Sequence, residues 1–207
     1  VTTEVVRAVV KKISLGKAPG VDGVPPEVVK ALLTERPGAF VDTVNGLLRR
    51  GHFPREWKVA RLVLIPKPGK PESDPSAYRP LCLLNTLGKA VETLLVGRLN
   101  RELDERGIID EAQYGFRAGR STLDAIRKVM SMAEEERGKT WRTKRLCFAT
   151  ALDVKNAFNS MPWEEIMKAA DQAGLSLYLK RMTGAYLSER EILLPDGRRG
   201  PMTAGVP

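Results

Sequence analysis

The stretch LCFATALDVKNAFNSMPW, residues 146 to 163, sets one carboxylate, Asp153, at the end of an apolar, strand-like run. A carboxylate at the carboxyl end of a central strand can face a cleft and hold a hard cation such as Mg²⁺, which takes oxygen ligands. Phosphoryl transfer through two such ions needs at least two carboxylates, with the ions about 3.5–4 Å apart. The run from Leu146 to Val154 supplies one, and Glu164, Glu165 and Asp171 sit on the helix that follows, where they are expected to face solvent. Spacing alone therefore favours a strand-end aspartate capping the next turn over a metal ligand.

Cations are the other candidates for chemistry. From Arg49 to Lys70 there are seven Lys or Arg against one acid, Glu56, and from Arg137 to Arg145 there are five and no acid. Acids gather elsewhere, as in Glu134, Glu135 and Glu136. Basic runs segregated in this way suit a polyanionic partner, because each phosphate neutralised releases counterions. A solvated basic face is the alternative.

The elements that must position these residues follow from periodicity. Val5 and Val6, Val9 and Val10, and Ile13 predict a first helix, with Thr2 or Thr3 as its cap. GKAPGVDGVPP interrupts it, and a second helix opens at Pro25 and Pro26. A third runs from about Pro37 to Arg50 and stops at Gly51. KVARLVLIP reads as a buried strand followed by a basic turn, and Pro71 to Pro80 as a loop. A long helix from about Thr86 to Arg106 closes at Gly107; the next is opened by a Ser121–Asp124 capping box and carries Leu123, Ile126 and Met130 on one side. The strand with Asp153, helices over about 162–173 and 176–188, and a hairpin at REILLPDGRRG complete the chain. The order is α+β, without the regular alternation of a doubly wound sheet.

Composition narrows the partners. The chain has 207 residues, 43 % apolar and 29 % charged, with a net charge of +9, an ordinary globular balance. No run approaches the roughly 20 apolar residues of a membrane helix, and the start has no signal-peptide pattern. One histidine, His52, argues against a histidine-based zinc site. Cys82 and Cys147 lie in apolar runs and are expected to be reduced, buried thiols of an intracellular protein.

Five blocks, GKAPGVDGVPPEVVK, WKVARLVLIPKPGK, YRPLCLLNTLGKAVETLLVGRL, QYGFRAGRSTLDAI and ALDVKNAFNSMPW, together span nearly the whole chain. In this order they resemble the reverse transcriptases of non-long-terminal-repeat, LINE-type retrotransposons, especially those of arthropods. The resemblance implies a right-hand polymerase, with fingers and an amino-terminal extension over 1–145 and the start of the palm over 146–207. It implies RNA-directed DNA synthesis by two-metal phosphoryl transfer, with Mg²⁺ or Mn²⁺ as cofactor. RNA template, DNA primer and deoxynucleoside triphosphates are then the partners, the location is nuclear, and no membrane is involved.

The same resemblance assigns residues. Asp153 matches the first catalytic aspartate, and the carbonyl of Val154 a backbone metal ligand. Phe158 matches the bulky ring under the sugar of the incoming nucleotide, where it clashes with a 2′-hydroxyl; a core aromatic at a helix start is the alternative. Lys67, Lys70 and Arg79 fall in the part of the fingers that folds over the triphosphate, where point charges and a planar guanidinium offset phosphate charge; for the lysines a solvated loop is the alternative. Gln113, Arg117 and Arg120 match a segment near template and primer, and Tyr114 and Phe116 are expected to pack rather than stack. RGKTWRTKR suits a strand-binding loop or a plain surface loop. Gly16, Gly20 and Gly23 read as backbone necessities, and Asp22 as a turn former rather than a ligand.

The final residues, MTAGVP, match the beginning of the family's next block. The resemblance places the paired aspartates that complete the metal site, the thumb and the endonuclease outside these residues, so the 207 residues alone are expected not to polymerise. A non-catalytic nucleic-acid-binding remnant, a group II intron maturase and a telomerase are the competing readings.

Overall fold

A computed structural model describes residues 1–143, 145–154 and 156–206. Lys144 of the basic tract, Lys155 beside Val154 and the terminal Pro207 lie outside the described residues. The chain divides into two compact units, one of residues 1–102 with 156–207 and one of residues 103–155.

In the first unit the helical front forms as periodicity requires. α1 (Thr3–Lys12) buries Val6, Val9 and Val10, although Thr2 at its start makes no side-chain cap. α2 (Pro26–Glu35) and α3 (Pro37–Arg50) meet at Arg36, each with a proline in its first turn, where no amide hydrogen is needed. Gly51 ends α3 in the left-handed conformation, φ 62°, its amide reaching the carbonyls of Leu47 and Leu48. Gly20 is required by close approach: a Cβ there would stand 2.3 Å from Asn85 Oδ1. Asp22 accepts from the amide of Val24 at 3.1 Å, the turn contact expected of it.

β1 (Val59–Pro66) pairs antiparallel with β2 (Tyr78–Leu83) and parallel with β3 (Arg190–Leu193), which pairs antiparallel with β4 (Arg199–Met202), in the order β2-β1-β3-β4. Two expectations are corrected here. β1 is buried only at Val59 and Ala60, because β3 reaches it only at 59–61; beyond that the hairpin is a two-stranded ribbon, and Leu64 and Ile65 are exposed. The loop expected up to Pro80 ends earlier. β2 includes Pro80, opposite Leu64, which its edge position permits because the outer side needs no amide donor.

α4 (Thr86–Glu105), α7 (Trp163–Gln172) and α8 (Leu177–Leu187) complete this unit with a one-turn helix, α6 (Ala157–Ser160). The core joins α1, α2, α3, α4 and α8 through Val6, Leu33, Val44, Val91, Leu179 and Met182. Phe53 packs edge-on against Tyr186, ring centroids 5.2 Å apart, and the Tyr186 hydroxyl donates to Glu92 at 2.9 Å. Burial, reinforced by the negative charge of Glu92, pushes the Tyr186 hydroxyl well above the ordinary tyrosine range.

The second unit holds α5 (Thr122–Arg137), capped as expected: Ser121 Oγ accepts from the Asp124 amide, and Asp124 accepts from the Ser121 amide at 2.9 Å. None of its residues is buried, and Leu123, Ile126 and Met130 are exposed. The strand expected over Leu146–Val154 is absent among the described residues, and Leu146, Phe148 and Leu152 are exposed. An extended segment needs a neighbour for its amides and carbonyls, and no strand lies among the described residues of this unit. The buried thiols are also corrected: Cys82 is half-buried and Cys147 exposed. Among the described residues no helix is long and apolar enough to cross a membrane.

Candidate nucleotide and nucleic-acid site

The β1–β2 hairpin organises the expected phosphate-binding cations. Its connection turns back through a 3₁₀ turn at Pro75–Ala77, and the Lys67 amide donates to the Ala77 carbonyl at 2.6 Å. Asp74 accepts from the Ser76 amide and hydroxyl, both at 2.7 Å. These hydrogen bonds, joined by the charges of Lys70 and Lys67, hold the Asp74 carboxyl below the ordinary aspartate range. Lys67 Nζ donates to the Ser76 carbonyl and Lys70 Nζ to the Ser76 hydroxyl, each at 2.9 Å. Both lysines are thus brought to one residue at the tip. Arg79 lies opposite Ile65 in the register; it is exposed and makes no side-chain hydrogen bond or ion pair among the described residues. The tip can present two ammonium groups, and the strand beside it one uncommitted guanidinium, to an anion.

Phe158 sits on α6, its side chain exposed. The residue before that helix, Asn156, takes φ 56°, a conformation that asparagine tolerates better than other residues with a Cβ. The amides of Asn159 and Ser160 both return to the Asn156 carbonyl at 3.0 Å.

In the second unit, residues 110–120 form a self-bound loop. Gln113 Nε2 donates to the Gly115 carbonyl and Arg117 Nη1 to the Asp110 carbonyl, both at 3.0 Å. Arg120 pairs with Glu111 Oε2, and Arg117 lies 4.0 Å from Glu111 Oε1. The Arg120 guanidinium also stands 5.7 Å from the Tyr114 ring centre, a packing role for that ring. Phe116, expected to pack, is instead 94 % exposed at φ 57°. The three residues read as template contacts are therefore together, but the two arginines are engaged by an exposed acid that sequence reasoning missed. Its signal is the spacing of Glu111 before Arg117 and Arg120 on a Gly-rich loop.

Asp153 and Val154 belong to this second unit and are exposed on irregular chain. Among the described residues no group of three His, Cys, Asp or Glu could hold a metal ion. One carboxylate and one carbonyl fall short of the octahedral oxygen shell that Mg²⁺ takes, so these residues do not build that site on their own.

Comparison with known proteins gives this geometry its setting. Residues 65–195, from the end of β1 to the turn after β3, match the family described as reverse transcriptase (RNA-dependent DNA polymerase). A probable RNA-directed DNA polymerase from transposon BS of Drosophila melanogaster is 36 % identical over 162 residues, covering 78 % of this chain and 17 % of that protein. The RNA-directed DNA polymerase from mobile element jockey of the same fly is 33 % identical over 214 residues, covering 100 % of this chain and 22 % of that protein. A retrovirus-related Pol polyprotein from the type-1 retrotransposable element R1 of Bradysia coprophila is 32 % identical over 198 residues, 92 % of this chain and 19 % of that protein. The chain spans about a fifth of the length of these curated relatives. With more than half of its residues inside the family match, the chain belongs to the reverse transcriptase family.

Proposed function

We propose that this chain is the fingers and the start of the palm of a LINE-type retrotransposon reverse transcriptase, adding deoxynucleotides to a DNA primer on an RNA template. The observation that carries the reading is the tip of the β1–β2 hairpin and β2, which lie inside the family match: Lys67 and Lys70 meet at Ser76, and Arg79 makes no side-chain hydrogen bond or ion pair among the described residues. Three cations on a ribbon that extends past the rest of its sheet suit the triphosphate, with charge and orientation as their contribution. Phe158 is the ring that excludes a 2′-hydroxyl, and Gln113, Arg117 and Arg120 contact template or primer. Asp153 and the Val154 carbonyl give Mg²⁺ or Mn²⁺ two of its oxygen ligands, the others coming from the rest of the polymerase. The division into fingers over 1–145 and palm over 146–207, and a nuclear location, belong to the same proposal.

The test is primer extension on an RNA template by the intact polymerase. Arg79→Ala is expected to weaken deoxynucleotide affinity about tenfold or more, the scale of one charge-assisted contact of 1.5–3 kcal/mol, with template binding kept. Unchanged nucleotide affinity would remove the triphosphate from this hairpin. Template binding without any synthesis by the parent protein would favour a non-catalytic binding module.

A further inference from the structure

A four-residue helix has no stability of its own, because nucleation of a single turn is unfavourable in isolation. Yet α6 carries Phe158, and a ring that reads a single hydroxyl on the substrate must be held in place. The hydrogen bonds around it show what holds it. Residues 204–206 lie across its end: the Val206 amide donates to the Phe158 carbonyl and the Gly205 amide to the Met161 carbonyl, both at 2.8 Å. Ala204 bridges antiparallel to Pro162. Behind this strap the Trp163 indole Nε1 donates to the Gly205 carbonyl at 2.7 Å, a part-buried bond between residues 42 apart in the chain. Gly205 takes φ 82°, and a Cβ there would stand 2.7 Å from the Phe158 carbonyl oxygen and 2.8 Å from that of Asn159. Only glycine fits.

We propose that Trp163 and Gly205 are positioning residues for sugar selection: the indole pins the 204–206 strap, and the strap fixes the backbone carbonyl of Phe158. This rests on the reading of Phe158 as the ring beneath the nucleotide sugar. The indole touches no nucleotide in this account. It sets the height of the ring through two hydrogen bonds and a glycine contact, so its loss lets the ring yield to a 2′-hydroxyl while leaving deoxynucleotide addition largely intact.

The test measures single-turnover incorporation of a deoxynucleotide and its matching ribonucleotide by the intact polymerase, and takes the ratio of their efficiencies. Trp163→Phe keeps an aromatic ring at this partly buried position against the core and removes the donor. It is expected to lower the ratio by about three- to tenfold, the scale of one hydrogen bond, with the change falling on the ribonucleotide. Phe158→Ala is expected to lower the ratio further. In the Phe158→Ala background, Trp163→Phe should change the ratio by less than about twofold, since residues acting through one another are not additive. Gly205→Ala is the second variant and must also lower the ratio.

If Phe158→Ala leaves discrimination untouched, the reading of Phe158 fails and the proposal falls with it. If Phe158→Ala relaxes discrimination but Trp163→Phe or Gly205→Ala keeps the parent ratio, the proposal alone is overturned. An equal loss of both incorporations in Trp163→Phe marks a merely structural role and overturns it as well.

Discussion

Glu111 gives the sharpest test of the proposed nucleic-acid contacts at Arg117 and Arg120. Its side chain is 84 % exposed and its carboxylate engages two arginines that are themselves largely covered, Arg120 through Oε2 and Arg117 at 4.0 Å through Oε1. Any phosphate that takes these guanidinium groups must displace this acid and tolerate its charge. Two unit charges 4 Å apart attract by about 1 kcal/mol in water and about 4 kcal/mol at an intermediate dielectric. Solvent screening and side-chain entropy bring exposed pairs down to about 0.2–1 kcal/mol each. Removing both ion pairs, with the Arg117–Asp110 carbonyl bond kept, is therefore worth about 1 kcal/mol, or roughly a fivefold gain in affinity. Glu111→Gln should tighten binding of a labelled single-stranded RNA by that factor in fluorescence anisotropy. Across a KCl series the logarithmic slope should steepen by about 0.7 for each phosphate newly engaged. Adding Arg117→Ala and Arg120→Ala to the same chain should abolish the gain. Unchanged or weaker binding with an unchanged salt slope would show that neither arginine reaches nucleic acid, and the template-contact reading of this loop would fail.

Two further outcomes follow from the first unit. Ser76 holds the Asp74 carboxyl below the ordinary aspartate value of about 3.9. A depressed carboxyl stabilises the turn above that value, and the contribution is lost as pH falls through the lower folded one; a carboxyl-detected NMR titration should place the Asp74 midpoint below 3.9 and Ser76→Ala should raise it. Arg190 is 1 % exposed, donates to the Tyr186 carbonyl at 2.6 Å and lies 4.4 Å over the Tyr186 ring, while its Nε and Nη2 find no partner among the described residues. The bond and the ring contact roughly offset the cost of burying those donors, so Arg190→Met should unfold in urea within about 1 kcal/mol of the parent chain or above it, and a loss of about 3 kcal/mol or more would contradict this balance.

What could be read in advance was local. The stop of α3 at Gly51, the Ser121–Asp124 box and the turn at Asp22 depend on residues a few positions apart, and each formed as read. What could not be read depended on partners distant in the chain. Pro80 looks like a loop residue until β1 supplies one side of its ladder and leaves the other open. β1 looks buried throughout until β3 proves to reach only three of its residues. The apolar run at 146–154 has strand composition, but composition supplies no neighbouring strand. At the site the same division holds. Lys67, Lys70 and Arg79 were legible as a basic turn and a neighbouring arginine, whereas the Asp74–Ser76 hydrogen bonds that gather the lysines were not. The engagement of Arg117 and Arg120 by Glu111 shows in the sequence only as the spacing of an acid before two arginines, and the Trp163–Gly205 link, 42 residues apart, leaves no signal there.

The central claim is that Asp153 serves the chemistry of nucleotide addition. The most direct measurement is single-turnover primer extension on an RNA template by the intact polymerase carrying Asp153→Asn, with RNA binding measured on the same preparation. The account predicts synthesis lowered by about a hundredfold to a thousandfold, the scale of a group acting in the transition state, with RNA affinity unchanged. Extension at the parent rate would contradict it.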